Sequence, residues 1–154
     1  MIYIFMTAII FAVEYFVKKH MDKVRTLQEQ RPLVGGKVIL KKYYNTAAAG
    51  NFLKGHPTWV RYLHGSALAF VFAGLLYLMP DKQAAPAKTG LSFLAGGGLS
   101  NLHDRLVKGH VVDYVSFGFG PKRFQKLVFN MADFFVFAGV VICMVHYIRK
   151  ERNF

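Results

Sequence analysis

Acidic residues are scarce in this chain of 154 residues. Eight Asp and Glu stand against 20 Lys and Arg, a formal net charge of +12. Charged residues of both signs make up only 18%, against about a quarter in an ordinary soluble domain, so side chains that favour water are in short supply. There is one cysteine, Cys143, which excludes an internal disulfide framework; between Ile142 and Met144 it reads as packing. No cleavable signal peptide is evident, because the basic cluster follows the first apolar stretch instead of preceding it. No internal repeat of domain size is present. What is abundant is apolar: 54% of residues are hydrophobic and 16% aromatic. That excludes a disordered chain, and the length suits one domain.

The charges avoid four stretches. Met1 to Val17 is apolar apart from Thr7 and Glu14; Tyr62 to Met79 and Thr89 to Leu102 carry no charge; Leu127 to Ile148 carries one acid, Asp133. A bilayer core of about 30 Å needs roughly 20 helical residues, and lipid offers no partner to free backbone polar groups. The expected fold is therefore an all-α membrane protein with four transmembrane helices, at about 1–17, 59–79, 87–105 and 127–148, the first an uncleaved anchor. Gly96-Gly97-Gly98 in the third span would let a neighbouring helix approach closely. The long connection from Lys18 to Thr58 contains Val38-Ile39-Leu40 and Tyr43-Tyr44, with turn residues at Gly35-Gly36 and Gly50-Asn51. It predicts a small extramembrane β platform at about 32–57. A connection from Leu106 to Lys126 carries Val111-Val112-Asp113-Tyr114-Val115 and a Gly-Phe-Gly-Pro turn at 118–121.

Polar groups at membrane depth are costly and mark function more often than not. Asp133 lies inside the fourth span, three residues after Asn130, and in a helix that spacing shares a face. The same spacing relates Asn101 and Asp104, with Arg105 next and Asp113 eight residues on. The connectivity brings Asp104, Asp113 and Asp133 near one membrane face. Two carboxylates held close together share a proton, and such a pair can activate water against a peptide carbonyl and protonate the departing amine. Plainer readings stand beside this one. Asp133 would pair with a helix cation in a non-catalytic scaffold; Asp113 would face water; Asp104-Arg105 would end a helix; Glu14 and Lys18 would form an i, i+4 ion pair; Asn45 would sit in a turn. A metal-binding or transport protein would use His103, Asp104, His110 and Asp113, whose spacing matches no closed zinc pattern.

Together these residues resemble the lipoprotein signal peptidase family (signal peptidase II), over most of the chain. The family's Gly-Asn-x-x-Asp-Arg motif reads Ser100-Asn101-Leu102-His103-Asp104-Arg105, its Val-Val-Asp-Phe reads Val111-Val112-Asp113-Tyr114, and its Phe-Asn-x-Ala-Asp reads Phe129-Asn130-Met131-Ala132-Asp133. Asn-x-Gly-Ala-Ala reads Asn45-Thr46-Ala47-Ala48-Ala49, and Asp-x-x-x-Lys runs from Glu14 to Lys18. Four positions depart from the pattern: Glu14 for Asp, Ala47 and Ser100 for Gly, and Tyr114 for Phe.

The resemblance implies an aspartic endopeptidase with Asp113 and Asp133 as the catalytic pair. Asn45, Asn101, Asp104, Arg105 and Asn130 would bind substrate or order the site, with Glu14 and Lys18 in support. It implies diacylglyceryl-modified prolipoproteins as substrates, cut before the lipidated cysteine, with no cofactor or metal and no nucleic-acid partner. A homologue that binds lipoproteins without cutting them remains the alternative. It also implies a multi-pass protein of the bacterial cytoplasmic membrane, with cytoplasmic termini and the site at the outer face. The charge count points the other way: with the flanking Arg61 and Arg105 included, 15 of the 20 basic residues fall with the two long connections, which the positive-inside rule would place in the cytoplasm. On the implied orientation, outer basic loops would meet anionic lipid headgroups, and Tyr43, Tyr44, Phe52 and Trp59 would lie at the interface near the substrate.

Overall fold

Each of the four charge-poor stretches forms a long helix. The computed structural model describes every residue except 28, 48–52, 54 and 153–154. In chain order the described elements are α1 (Ile2–Val24), β1 (Gln30–Leu33), β2 (Val38–Asn45), α2 (Pro57–Leu78), α3 (Ala85–Val107), β3 (Val111–Phe117), the short α4 (Lys122–Gln125) and α5 (Met131–Glu151). The chain is thus mostly helical with one small sheet. Among the described residues, two helices, α2 and α5, are long and apolar enough to cross a membrane by length and composition.

Helix α3 lies at the centre, packed against α1, α2 and α5. This explains its modest hydropathy: its small and polar residues, among them Ser92, Gly96, Gly97, Ser100 and Asn101, face protein and are buried. Close approach depends on glycine here. A Cβ on Gly97 would lie 2.5 Å from the Ala132 carbonyl oxygen of α5, and one on Gly90 would lie 2.6 Å from Cys143 Sγ. In α1, Thr7, Ile10, Glu14, Lys18 and Met21 form the buried stripe at helical spacing, while Phe5 and Phe16 point outward. The stripe continues through Lys18 and Met21, so the helix reaches Val24 and does not stop at Val17.

The sheet is antiparallel in the order β1-β2-β3. The expected platform drew its strands from the first long connection alone. The third strand comes instead from the later connection, with Asn45 paired to Val111 and Tyr43 to Asp113. Five of the seven residues of Val111–Phe117 are buried, since α1 and α3 pack against the strand. The strands are joined by a turn through Val34, Gly35 and Gly36, all at positive φ. Helix α5 begins at Met131 and not at Leu127: Phe129 is held by Val115 of β3, and Asn130 is extended at φ −122°, ψ 171°. The expected turn at Gly50-Asn51, and Phe52, fall outside the described residues.

Candidate active site

The site lies where β3, the end of α3 and the start of α5 meet. Asn130 is the N-cap of α5. Its Oδ1 accepts from the Asp133 amide at 3.1 Å, while Asp133 Oδ2 accepts from the Asn130 amide at 3.1 Å, a reciprocal capping box. The Asn130 side-chain amide is also spent on the site: Nδ2 donates to Asp113 Oδ1 at 2.6 Å and to Asn101 Oδ1 at 3.1 Å. Asn130 therefore touches both carboxylates, one through its side chain and one through its backbone. Sequence spacing suggested two residues sharing a helical face; the structure makes Asn130 a cap and Asp133 its N3 partner.

The remaining oxygens have partners too. Asn101 Nδ2 donates to Asp133 Oδ1 at 2.9 Å, and Asn45 Nδ2 donates to Asp113 Oδ2 at 3.0 Å. Asn45 Oδ1 accepts from the Ala47 amide at 3.0 Å, which sets the start of the Asn45–Ala49 motif; Ala48 and Ala49 lie outside the described residues. Arg105 is buried, donates to the Ala47 carbonyl at 2.6 Å, and leaves its Nε without a partner among the described residues. Asp113 is 1% exposed. Burial first, and the Asp133 carboxylate second, push its carboxyl from 3.8 up to about 7; Asn45, Asn130 and Lys18 pull the other way.

Behind this pair lies a second buried network. Lys18 Nζ donates to Asn101 Oδ1 at 2.7 Å and Ser100 Oγ at 3.0 Å, and it meets Asp104 Oδ2 at 3.2 Å. Its i, i+4 neighbour Glu14 is farther, at 4.0 Å, so the expected local ion pair is the weakest of its contacts. Glu14 instead accepts from the Tyr114 hydroxyl and the Ala132 amide. Asp104 does not join Asp113 directly. It meets Lys18 and Lys108, and its Oδ2 accepts from the Val112 amide at 3.2 Å, fixing the start of β3.

The rival donor set does not converge. The His103 ring stands edge-on to Phe11 and Tyr15, and the His110 ring lies 4.0 Å from that of Tyr44. Among the described residues, no three His, Cys, Asp or Glu side chains gather as metal ligands. Two contributors escaped the sequence reading. The Ser100 hydroxyl accepts from Lys18, and Tyr114 bonds Glu14. Tyr114 carried a signal, a hydroxyl placed beside an acid in an apolar strand.

The model of the signal peptidase (SPase) II family matches residues 6–149. The chain belongs to the signal peptidase II family. Among its relatives, a lipoprotein signal peptidase from Tolumonas auensis is 41% identical over 116 residues, covering 71% of this chain and 68% of that protein. One from Aeromonas hydrophila is 37% identical over 113 residues, covering 71% of this chain and 66% of that protein. One from Chromobacterium violaceum is 27% identical over 150 residues, covering 96% and 91%. A bacterial membrane enzyme solved by the in meso method at 2.3 Å superposes with a TM-score of 0.82, at 19% identity, over 98% of this chain and 90% of that one. Family membership makes the chain a protease of lipoprotein processing, and the solved membrane enzyme shares its fold.

Proposed function

We propose that this chain is an intramembrane aspartic endopeptidase. It removes the signal peptide from diacylglyceryl-modified prolipoproteins by cutting before the lipidated cysteine. The observation that carries the reading is Asn130 bonded at once to Asp113 and Asp133. The two carboxyls share one proton at neutral pH. The ionised one takes a proton from water as the water oxygen adds to the scissile carbonyl. The protonated one gives its proton to the departing amine, so the C–N bond breaks and the pair ends with one proton again. No metal or organic cofactor is needed. Asn45, Asn101 and Asn130 orient the acids, Asp104 fixes the strand that carries Asp113, and Arg105, whose Nε–H has no partner among the described residues, holds a substrate carbonyl.

The four long helices are read as four spans of one integral-membrane domain over residues 1–154. A 23-residue α1 is about 34 Å long, enough for the hydrocarbon core. The termini lie in the cytoplasm and the site at the outer face, where membrane lipids surround it and a diacylglyceryl anchor holds the scissile bond near the surface. Burial of Asp113 supports this chemistry, because it keeps a proton available near neutral pH.

The test is incubation of the purified protein with a diacylglyceryl-modified prolipoprotein, read on a gel. Wild type releases the signal peptide, Asp113→Asn and Asp133→Asn do not, and chelators leave the rate unchanged. Substrate binding without cleavage by wild type would favour a non-catalytic homologue. Normal processing by Asp113→Asn would remove the mechanism.

A further inference from the structure

Between β3 and α5 the chain closes on itself. The Phe129 amide donates to the Val115 carbonyl at 2.7 Å, and the Phe129 carbonyl accepts from the Tyr114 and Val115 amides at 2.8 Å each. This neck stands directly between the two acids in sequence, with Asp113 just before it and Asp133 just after. Inside the loop the Phe117 and Phe124 rings stack at 5.5 Å, and Phe119 packs on Phe117 at 5.4 Å. Phe117 also meets Phe134 of α5, at 6.3 Å.

The far end of the loop is open. Phe119 is 51% exposed and Leu127 41%. Lys122, Arg123 and Lys126 are exposed beside them. No Asp or Glu occurs from Tyr114 to Ala132, so nothing within this segment neutralises the three cations. The patch is continuous with the outward face of α5 through Phe134, itself 41% exposed, and that face runs on through Phe137. Apolar tips beside unopposed cations, at the end of an apolar helix, complement a surface that is hydrocarbon on one side and anionic on the other.

We propose that this loop is a lipid-headgroup anchor. Phe119 and Leu127 enter the interfacial layer, while Lys122, Arg123 and Lys126 hold anionic phospholipid headgroups of the phosphatidylglycerol type. The loop is clamped at a neck that adjoins both acids, so lipid binding at its tip fixes the depth of Asp113 and Asp133 below the membrane surface. The inference rests on α5 lying in the bilayer and is independent of the chemistry at the two acids.

The test uses the full chain in nanodiscs and reads fluorescence, not cleavage. Trp59, the only tryptophan, is removed as Trp59→Phe, and a reporter is introduced as Phe119→Trp. Phosphatidylcholine discs contain either brominated phosphatidylglycerol or brominated phosphatidylcholine at equal mole fraction. The proposal expects stronger quenching by the anionic lipid, with about a fivefold enrichment for each cation engaged. The triple change Lys122→Gln, Arg123→Gln and Lys126→Gln should abolish the difference while quenching by phosphatidylcholine persists. High salt should abolish it in the parent protein as well, a check that does not depend on how the triple variant folds. Arg149→Gln, at the other end of α5, should leave it intact. Equal quenching by the two lipids in the parent protein overturns the headgroup site. Quenching by neither lipid overturns the anchor and leaves the patch to a second copy or another protein.

Discussion

The Tyr114 hydroxyl donates to the Glu14 carboxylate at 2.9 Å, across 100 residues of chain. The same oxygen accepts from the Met131 amide at 3.1 Å, and Glu14 accepts from the Ala132 amide at 3.2 Å. A helix begins with amides that lack intrahelical partners. In α5 the first three are satisfied by Tyr114 of β3, Glu14 of α1 and the cap Asn130, and the third of these amides belongs to Asp133. Burial first, and the Glu14 carboxylate second, push the Tyr114 phenol above its ordinary range, so the hydroxyl keeps its proton and remains a donor. Both residues depart from the family pattern quoted above, and they depart together: the longer acid meets the added hydroxyl.

Removing the hydroxyl tests this arrangement. Tyr114→Phe strips a partner from both Met131 and Glu14 and should lower stability by about 1–3 kcal/mol. It should lower kcat more than KM, because it loosens the turn that holds Asp133 without touching substrate. Glu14→Ala should cost more, since it also removes a countercharge of Lys18. The Tyr114→Phe and Glu14→Ala double variant should be less damaging than the sum, with a coupling of about 1 kcal/mol. Thermal unfolding in detergent, with steady-state cleavage, measures both; strict additivity would mean that the two residues act separately.

The raised pKa of Asp113 fixes the sign of a pH effect. Above about 7 its proton is lost, the proton that the departing amine needs is gone, and cleavage should fall. Asn45 donates to the ionised form and so lowers the pKa. Asn45→Ala should therefore raise it and move the alkaline limb of kcat upward by about one pH unit. A limb that moves downward, or stays in place, would show that another group sets it.

Much of this was legible in the residues. Charge-poor stretches gave the four long helices because lipid-facing and core-facing side chains are both apolar. The acids and amides stood out because polar groups are few there. Three things were hidden. Strand β3 looks like part of a connection, since its partner β2 lies more than 60 residues earlier and only the register joins Tyr43 to Asp113. The cap role of Asn130 is hidden because i, i+3 spacing fits both a shared helical face and a capping box, and only the extended backbone at Asn130 separates them. For Lys18 the spacing offers only its i+4 neighbour as a partner, whereas burial brings it to Asn101, Ser100 and Asp104 on α3.

That buried lysine carries its own prediction. Lys18 is 1% exposed and faces Asp104 and Glu14 together. Lys18→Met should destabilise by about 3–5 kcal/mol, because it leaves buried Glu14 without its cation and Asp104 with Lys108 alone. Lys18→Arg should not restore activity, since the planar guanidinium cannot reproduce three donors from one nitrogen in a packed site. Full activity with Lys18→Met would mean that the charge is dispensable.

The last prediction concerns how closely α3 must approach α5. Asn101 on α3 reaches Asp133 on α5 at 2.9 Å, and one turn earlier Gly97 lets the two backbones meet. A Cβ there would lie 2.5 Å from the Ala132 carbonyl oxygen and 3.0 Å from Val136 Cγ2. The first contact is backbone and cannot rotate aside, so Gly97→Ala must separate the helices at the turn that carries Asp133. A misplacement near 1 Å at a reacting group costs about 100-fold in rate, and overpacking costs about 1–3 kcal/mol in stability. Gly65→Ala is the matched control: it lies in α2 with nothing within 4 Å of its added carbon, and should be neutral or stabilising by up to about 1 kcal/mol. Cleavage rates and unfolding temperatures of the two variants decide the matter. Equal behaviour would show that the α3–α5 spacing does not govern the position of Asp133.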